Sequence, residues 1–203
     1  MLTIWGRRSS TNVKKVIWLA EELGLAFEQR DAGGKFGIDE AYRRLNPNGL
    51  VPTIVDGPVI LWESNTILRY LAATRPEAGF WPADPAVRAQ AEKWMDWQIA
   101  YANIQRPAFV NLVRKRPEER DQIVIDTAVA NSMVQLRILE ASLADKPRLS
   151  GDRIGLGDVA MGPYIHIWFN LDVKRPMMPH LSDWYDRLKA RPAYRRQIAK
   201  PLE

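Results

Sequence analysis

The amino-acid sequence predicts an α+β/α architecture: an α+β domain over residues 1–77, a linker at 78–85 and an all-helical domain over residues 86–203. Two observations carry this prediction. Short β-prone runs occur only before Pro76, whereas helical apolar periodicity dominates after it. The change coincides with the proline-rich stretch FWPADP, which is typical of a linker.

The first elements form a strand–helix–strand unit. Leu2–Trp5 is a short apolar strand, the segment VKKVIWLAEEL has the apolar stripe of a helix, and Gly24 ends that helix. A second strand surrounds Phe27, and the short connections predict that the two strands are parallel. The predicted buried stripe excludes Lys14 and Lys15 and consists of Val13, Val16, Ile17, Ala20 and Leu23.

A helix and a hairpin follow. EAYRRLN is helical, and the strands LVPTIV and VILW are separated by Asp56-Gly57-Pro58, a turn signature that joins antiparallel strands. The segment SNTILRYLAA is a helix that completes the order β-α-β-α-β-β-α. In the second half, helical patterns run from the linker through Tyr101 and then over Val124–Ala144, Leu156–Phe169 and Leu181–Arg191.

Composition excludes several classes of protein. The 203 residues include no cysteine and two histidines, so a disulfide, a thiolate nucleophile and a zinc site are not expected. The net charge of +5 is dispersed, without the continuous basic face that nucleic-acid binding needs. No apolar run approaches the ~20 residues of a membrane span. We therefore expect a cytoplasmic protein with no metal and no nucleic-acid or membrane partner.

A proline stands where the third strand begins. Pro52 has no N–H for a sheet ladder, and a strand led by proline in this element order resembles the thioredoxin-like fold. In that fold the proline is cis, and the backbone of the preceding residue, here Val51, is open to an extended peptide ligand. The alternative is a trans proline at the start of an edge strand.

Glu63 and Ser64 end the fourth strand and begin a helix. Ser64 is placed as its N-cap, and a helix N-terminus offers free N–H groups to a ligand carboxylate. The Glu63 carboxylate could accept a ligand ammonium. Together these groups suit the zwitterionic end of a γ-glutamyl peptide, although a plain helix cap would have the same sequence.

The motif NPNGLVPTIVDG…LWESNTILRYLA, followed by a helical half, resembles the cytosolic glutathione transferases of the serine type, including the bacterial theta- and nu-like members. The resemblance covers the whole chain. LSGDRIGLGDVAMGP is similar to the family's capping-box segment, with Asp158 reaching back to the helix start. The chain departs from that pattern at Gly155, where the family has serine or threonine. The resemblance implies a homodimer that uses glutathione as co-substrate.

The family stabilises the glutathione thiolate with tyrosine, serine or cysteine after the first strand. The loop GRRSSTN contains neither tyrosine nor cysteine. The resemblance therefore points to Ser10, with Ser9 as the rival and Asn12 near the sulfur. The serine would donate a hydrogen bond to the charged sulfur at a helix N-terminus. The alternative is that Ser10 only caps the helix.

Other candidates for the site are less determined by the pattern. Lys35, or more weakly Arg7 or Arg8, could bind the glycine-end carboxylate of glutathione, but Lys35 could also be a solvated loop lysine. On the long helix, Tyr101, Gln105 or Arg106 could form the wall of the second-substrate site. The alternative for this helix face is core or subunit interface.

The predicted function is attack of the glutathione thiolate on a small hydrophobic electrophile, or glutathione-dependent reduction of a peroxide or disulfide. The alternative from another class is a non-catalytic ligand-binding or regulatory module with the same fold. A weaker alternative is isomerase or dehalogenase chemistry on this scaffold.

Overall fold

The computed structural model describes all 203 residues. An N-terminal unit alternates strands and helices in the predicted order β-α-β-α-β-β-α. Its elements are β1 (Leu2–Trp5), α1 (Thr11–Glu22), β2 (Phe27–Arg30), α2 (Glu40–Leu45), β3 (Thr53–Asp56), β4 (Val59–Trp62) and α3 (Ser64–Ala73).

The remainder of the chain is helical. The long helix α4 continues directly into a π-helical turn, Val110–Arg114. No helix combines the length and the apolarity needed to cross a lipid bilayer. The helices are α4 (Pro85–Phe109), α5 (Gln122–Ser142), α6 (Leu156–Asn170), α7 (Pro179–Lys189) and α8 (Pro192–Gln197).

The four strands form one mixed sheet in the order β2-β1-β3-β4. β1 pairs with β2 in parallel, as the βαβ unit predicts, and Leu2 lies opposite Phe27. β3 pairs with both β1 and β4 in antiparallel fashion. Gly57, at the β3–β4 turn, has φ +58°, which explains the need for glycine there. The thioredoxin-like arrangement is thereby confirmed.

Helix α1 joins the two halves of the molecule. It packs against α3 of the N-terminal unit and against α6 and α8 of the helical unit. The predicted stripe from Val13 to Leu23 is buried, and Gly24 follows the helix with φ +65°. Where α1 meets α6, a Cβ on Gly162 would lie 2.9 Å from the Trp18 ring, so the helices approach closely.

The start of α6 is fixed by Asp158, a carboxylate with no exposed surface. It accepts hydrogen bonds from the Leu149 N–H at 2.9 Å, the Trp184 Nε1–H at 2.8 Å and the Gly155 N–H at 3.0 Å. Gly155 is the N-cap residue, as predicted. A Cβ at position 155 would lie 2.6 Å from the Ser150 side chain, which explains why this chain has glycine there.

Candidate functional site

A cleft of about 620 Å³ lies between the N-terminal unit and the helical unit. The loop after β1, the loops before α2 and β3, and the facing sides of α4 and α6 form its walls. The lining residues used below are Arg7, Ser9, Ser10, Asn12, Gly33, Gly34, Val51, Gln105, Arg106, Phe109, Arg114, Tyr164 and Ile167.

Ser10 lies at the N-terminus of helix α1. It is the N-cap residue, with extended backbone angles (φ −74°, ψ 123°), but its side chain makes no capping hydrogen bond. Its hydroxyl therefore remains available to a ligand at the positive end of α1. Ser9 lines the same cleft, so the structure brings both serine candidates to one place.

Asn12 connects the first turn of α1 to the helical unit. Its Oδ1 accepts a hydrogen bond from the Tyr164 hydroxyl at 2.9 Å. Burial raises the pKa of Tyr164 well above its ordinary value, so this hydroxyl stays protonated and acts as a donor. With Oδ1 occupied, the Nδ2 group of Asn12 is the part of the side chain free to donate into the cleft.

The peptide that precedes β3 has the predicted geometry. The Val51–Pro52 bond is cis, and Val51 lines the cleft. Neither the N–H nor the C=O of Val51 has a hydrogen-bond partner within the protein. These two groups are therefore open to an extended ligand, as the sequence predicts, whereas Pro52 itself is buried.

Tyr42 and Asn46, which the sequence analysis did not identify, hold the loop before β3 in place. The Leu50 carbonyl accepts hydrogen bonds from Asn46 Nδ2 at 2.9 Å and from the Tyr42 hydroxyl at 2.5 Å. Both side chains also contact the Thr53 hydroxyl, at 3.1 Å and 2.8 Å. The available signal was the NPNG turn, because asparagine side chains commonly bond nearby backbone in turns.

Glu63 and Ser64 lie at the start of α3, but with the cap one residue earlier than predicted. Glu63 is the N-cap residue and Ser64 is the first residue of the helix, so the assignment of Ser64 as N-cap is wrong. Glu63 is also the one non-glycine residue with a positive φ, +68°. Such backbone outliers concentrate at ligand sites because the surrounding structure must enforce them.

The prediction that Lys15 lies outside the buried stripe of α1 is wrong. Its side chain is 1 % exposed, and its ammonium donates hydrogen bonds to Asn65 Oδ1 and Gln98 Oε1, both at 2.8 Å. Burial lowers the pKa of Lys15 to about 7, while the nearby Glu63 carboxylate raises it. The sequence carried no signal for this cluster, because its acceptors come from α3 and α4.

The helical wall of the cleft differs in part from its prediction. Gln105 and Arg106 line it, but Tyr101 does not. Tyr101 lies in the core, 1 % exposed, where its ring stacks on Trp97 and its hydroxyl accepts a hydrogen bond from Gln105 Nε2 at 3.0 Å. Helical spacing predicted correctly that Gln105 and Arg106 line the cleft, but the prediction for Tyr101 is wrong.

Several predicted glutathione ligands lie outside the cleft lining. These are Lys35, Pro52, Glu63 and Ser64. Lys35 is exposed on a short 3₁₀ turn, and its ammonium is 5.1 Å from the centre of the Phe36 ring. No group of three or more His, Cys, Asp and Glu side chains is placed to hold a metal ion.

Comparison with known proteins gives matches over both halves of the chain. Residues 5–79 match the model of the glutathione S-transferase N-terminal domain, and residues 101–192 match that of the C-terminal domain. The chain is 45% identical to glutathione S-transferase GstB of Escherichia coli over the full length of both proteins. It is 26% identical to the E. coli disulfide-bond oxidoreductase YfcG, over 83% of this chain and 79% of that protein.

Among solved structures, the chain resembles a theta-class glutathione S-transferase from Xanthomonas axonopodis pv. citri with glutathione bound. The TM-score is 0.96 at 46% identity, over 100% of this chain and 99% of that one. The sheet, the helical half and both matched domains agree with this relationship. The chain is a member of the cytosolic glutathione S-transferase family.

Proposed function

We propose that this protein is a glutathione transferase whose cleft binds glutathione with its sulfur at the start of α1. The observation that carries the proposal is the meeting of uncommitted polar groups in one cleft: the Ser10 hydroxyl, the Asn12 amide and the Val51 peptide. The full-length similarity to a glutathione-bound transferase supports it.

The chemical task of the site is to hold the sulfur as a thiolate. A free thiol has a pKa near 8.5, so little of it is ionised at neutral pH. A hydrogen bond from the Ser10 hydroxyl and the positive end of α1 both favour the charged form. Asn12 Nδ2 is a second donor for the sulfur, oriented by its bond to Tyr164.

The rest of the peptide is held by backbone and by α3. The open N–H and C=O of Val51 suit the cysteinyl peptide groups of glutathione. At the start of α3, free N–H groups suit the γ-glutamyl carboxylate, and Glu63 suits the adjoining ammonium. Lys15 is buried close to this point, and its protonated form would favour a bound carboxylate.

In the reaction, the thiol proton leaves to solvent and the sulfur lone pair attacks an electrophilic carbon. A C–S bond forms while the bond to the leaving group breaks, and the leaving group departs with that electron pair. Reduction of a peroxide or disulfide would begin with the same thiolate. A purely ligand-binding module is less well supported, because it has no need of an uncapped serine at the sulfur position.

Calorimetry with glutathione and assays with aryl halides, hydroperoxides and mixed disulfides test this proposal. We expect micromolar to millimolar binding and turnover of at least one of these substrate classes. Binding without any turnover would favour the ligand-binding alternative, and absence of both would refute the proposal.

We also propose that the protein is a cytoplasmic homodimer, as the family resemblance implies. Large apolar side chains are exposed on β4, which is one of the two edge strands of the sheet, and on α4 and α5. In the proposed dimer, the helical domain of the second copy covers the exposed apolar side chains of β4. The side chains are Ile60 and Trp62 on β4, Ile99 on α4, and Val134 and Ile138 on α5.

A further inference from the structure

The cleft wall on the helical side carries positive charge without any acidic partner. Arg106 and Arg114 line this wall, and neither makes a salt bridge or a side-chain hydrogen bond. No aspartate or glutamate lines the cleft. Arg116 shows the contrast, since it lies outside the cleft and pairs with Glu118 and Glu119.

The two arginines lie on either side of the junction between α4 and a π-helical turn. Arg106 lies in the last turn of α4, and Arg114 ends the π-helical turn that follows. Buried Asn111 holds this turn, since its Nδ2 donates to the Pro107 carbonyl at 2.9 Å and its Oδ1 accepts from the Asp121 N–H at 3.0 Å. Such π turns are frequent at functional sites.

An apolar surface accompanies the two charges. The Arg114 guanidinium lies 5.4 Å from the centre of the Phe109 ring, and Phe109 lines the cleft together with Ile167. An anionic group on a compact apolar body therefore matches this wall in both charge and polarity.

A third arginine of the cleft lies on the opposite side. The Arg7 side chain runs along the backbone of Gly33 and Gly34, close enough that a Cβ on Gly34 would come within 2.9 Å of it. Arg7 is thus placed with the N-terminal unit, where a carboxylate of glutathione can meet it. This leaves Arg106 and Arg114 for the second substrate.

We propose that Arg106 and Arg114 form a subsite for an anionic group on the second substrate, so that the enzyme prefers electrophiles in which a carboxylate or sulfonate is attached to a small apolar body. This inference rests on the proposed transferase function and specifies its substrate class. Unpaired guanidinium groups would also attract such substrates to the cleft before they bind.

A matched pair of probes tests the proposal: 4-(chloromethyl)benzoate and its methyl ester. In both, the glutathione sulfur attacks the benzylic carbon, the C–S bond forms, the C–Cl bond breaks and chloride leaves with the electron pair. The thiol proton goes to solvent. We expect a higher kcat/KM for the acid than for the ester, and a preference that weakens as salt screens the arginines.

Arg106→Gln and Arg114→Gln should each lower kcat/KM for the acid about tenfold, the effect of losing one hydrogen bond between charged groups, and leave the ester within about twofold. Arg137→Gln is the matched control, because Arg137 is exposed on α5 and lies outside the cleft. It should change neither substrate. Unchanged glutathione affinity would show that the variants are folded.

Equal kcat/KM for acid and ester in the wild type, or an acid preference that survives both substitutions, would overturn the proposal. If neither probe reacts, calorimetry with the two S-benzyl conjugates of glutathione gives the same comparison by affinity. Equal affinities for the acid and ester conjugates would then overturn the anionic subsite alone. Failure to bind glutathione at all would instead refute the transferase function.

Discussion

At the scale of single residues, the proposed stabilisation of the thiolate depends on Ser10. Its hydroxyl lies in the cleft and takes no part in capping α1. Loss of one hydrogen bond to a charged group is worth ~1.5–3 kcal/mol, so Ser10→Ala should reduce kcat at neutral pH roughly 10- to 150-fold. Steady-state kinetics would measure this, and glutathione affinity should change much less.

Ser9→Ala is the matched control for Ser10, since Ser9 lines the same cleft one residue earlier. We expect Ser9→Ala to have little effect on turnover. The reverse pattern would move the catalytic role to Ser9. If both variants kept full activity, the serine-type assignment would be wrong and Asn12 would become the better candidate.

Substitution of Glu63 should lower glutathione affinity more than it lowers kcat. If the Glu63 carboxylate binds the ammonium of glutathione as proposed, Glu63→Gln should weaken glutathione affinity about tenfold, as expected for loss of a charge-assisted bond of this kind. At saturating glutathione, kcat should be retained. Calorimetry and kinetics together would separate the two effects, and an unchanged affinity would remove Glu63 from the site.

Lys15 should make the free energy of unfolding depend on pH in the alkaline range. Burial lowers its pKa to about 7 in the folded chain, against an ordinary value of 10.5. Between these values the unfolded chain binds more protons than the folded chain, so the Lys15 contribution makes the free energy of unfolding rise with pH, by about 1.4 kcal/mol per pH unit at most.

Lys15→Met removes this contribution and tests it. Urea unfolding at pH 7.5 and at pH 9.5 should show that the wild type gains stability relative to Lys15→Met as the pH rises. A stability difference that stayed constant over this range would show that Lys15 keeps an ordinary pKa in the folded protein. Lys93→Met, at an exposed position of α4, is the comparison variant.

At the scale of elements, Asp158 secures the start of α6 and, through it, the core of the helical unit. The fully buried carboxylate accepts from donors at the loop before α6 and from Trp184 on α7. Asp158→Ala leaves these donors unpaired and should cost about 3–5 kcal/mol of unfolding free energy. Asp158→Asn, which keeps one oxygen, should cost less.

Urea unfolding monitored by circular dichroism would measure both Asp158 variants. A loss below about 1 kcal/mol for Asp158→Ala would contradict this role. Gly155→Ser, which introduces a residue of the family pattern, should not stabilise the protein, because a Cβ there would collide with Ser150.

The elements that the sequence predicted are those governed by local rules. The stripe of α1, Gly24 after it and the Asp56-Gly57-Pro58 turn depend on helical periodicity and on backbone conformations that glycine tolerates. Pro52 predicted where β3 begins because proline cannot donate to a ladder. These rules operate within a few residues, so one sequence suffices to apply them.

The features that escaped prediction depend on tertiary contacts. Lys15 is buried because Asn65 and Gln98, distant in sequence, accept its hydrogen bonds. Tyr101 shares a helix face with Gln105 and both are buried, but only Gln105 lines the cleft. The π turn that places Arg114 is set in part by the side chain of Asn111. No periodicity in the chain encodes such contacts.

At the scale of the whole molecule, the exposed apolar residues of β4, α4 and α5 predict a dimer of twice the 23.2 kDa chain. Light scattering at micromolar concentration would measure the mass. Ile99→Glu should yield monomers, because it places a charge in the proposed interface, whereas Met177→Glu, on an exposed loop, should not. A wild-type monomer would refute the proposed dimer.

The cleft is a property of the whole molecule, because the N-terminal domain supplies Ser10 and Val51 and the helical domain supplies Tyr164, Arg106 and Arg114. The Asn12–Tyr164 hydrogen bond joins the two walls next to the proposed sulfur position. The proposed stabilisation of the thiolate would therefore depend on both domains in their observed arrangement.

The most direct test is a pH titration of glutathione bound to the wild-type protein, followed by the ultraviolet absorbance of the thiolate. The account predicts that the bound thiol ionises about one to two pH units below free glutathione, and that Ser10→Ala returns most of this shift. A bound thiol that titrates at the same pH as free glutathione would contradict the claim that this cleft stabilises the thiolate.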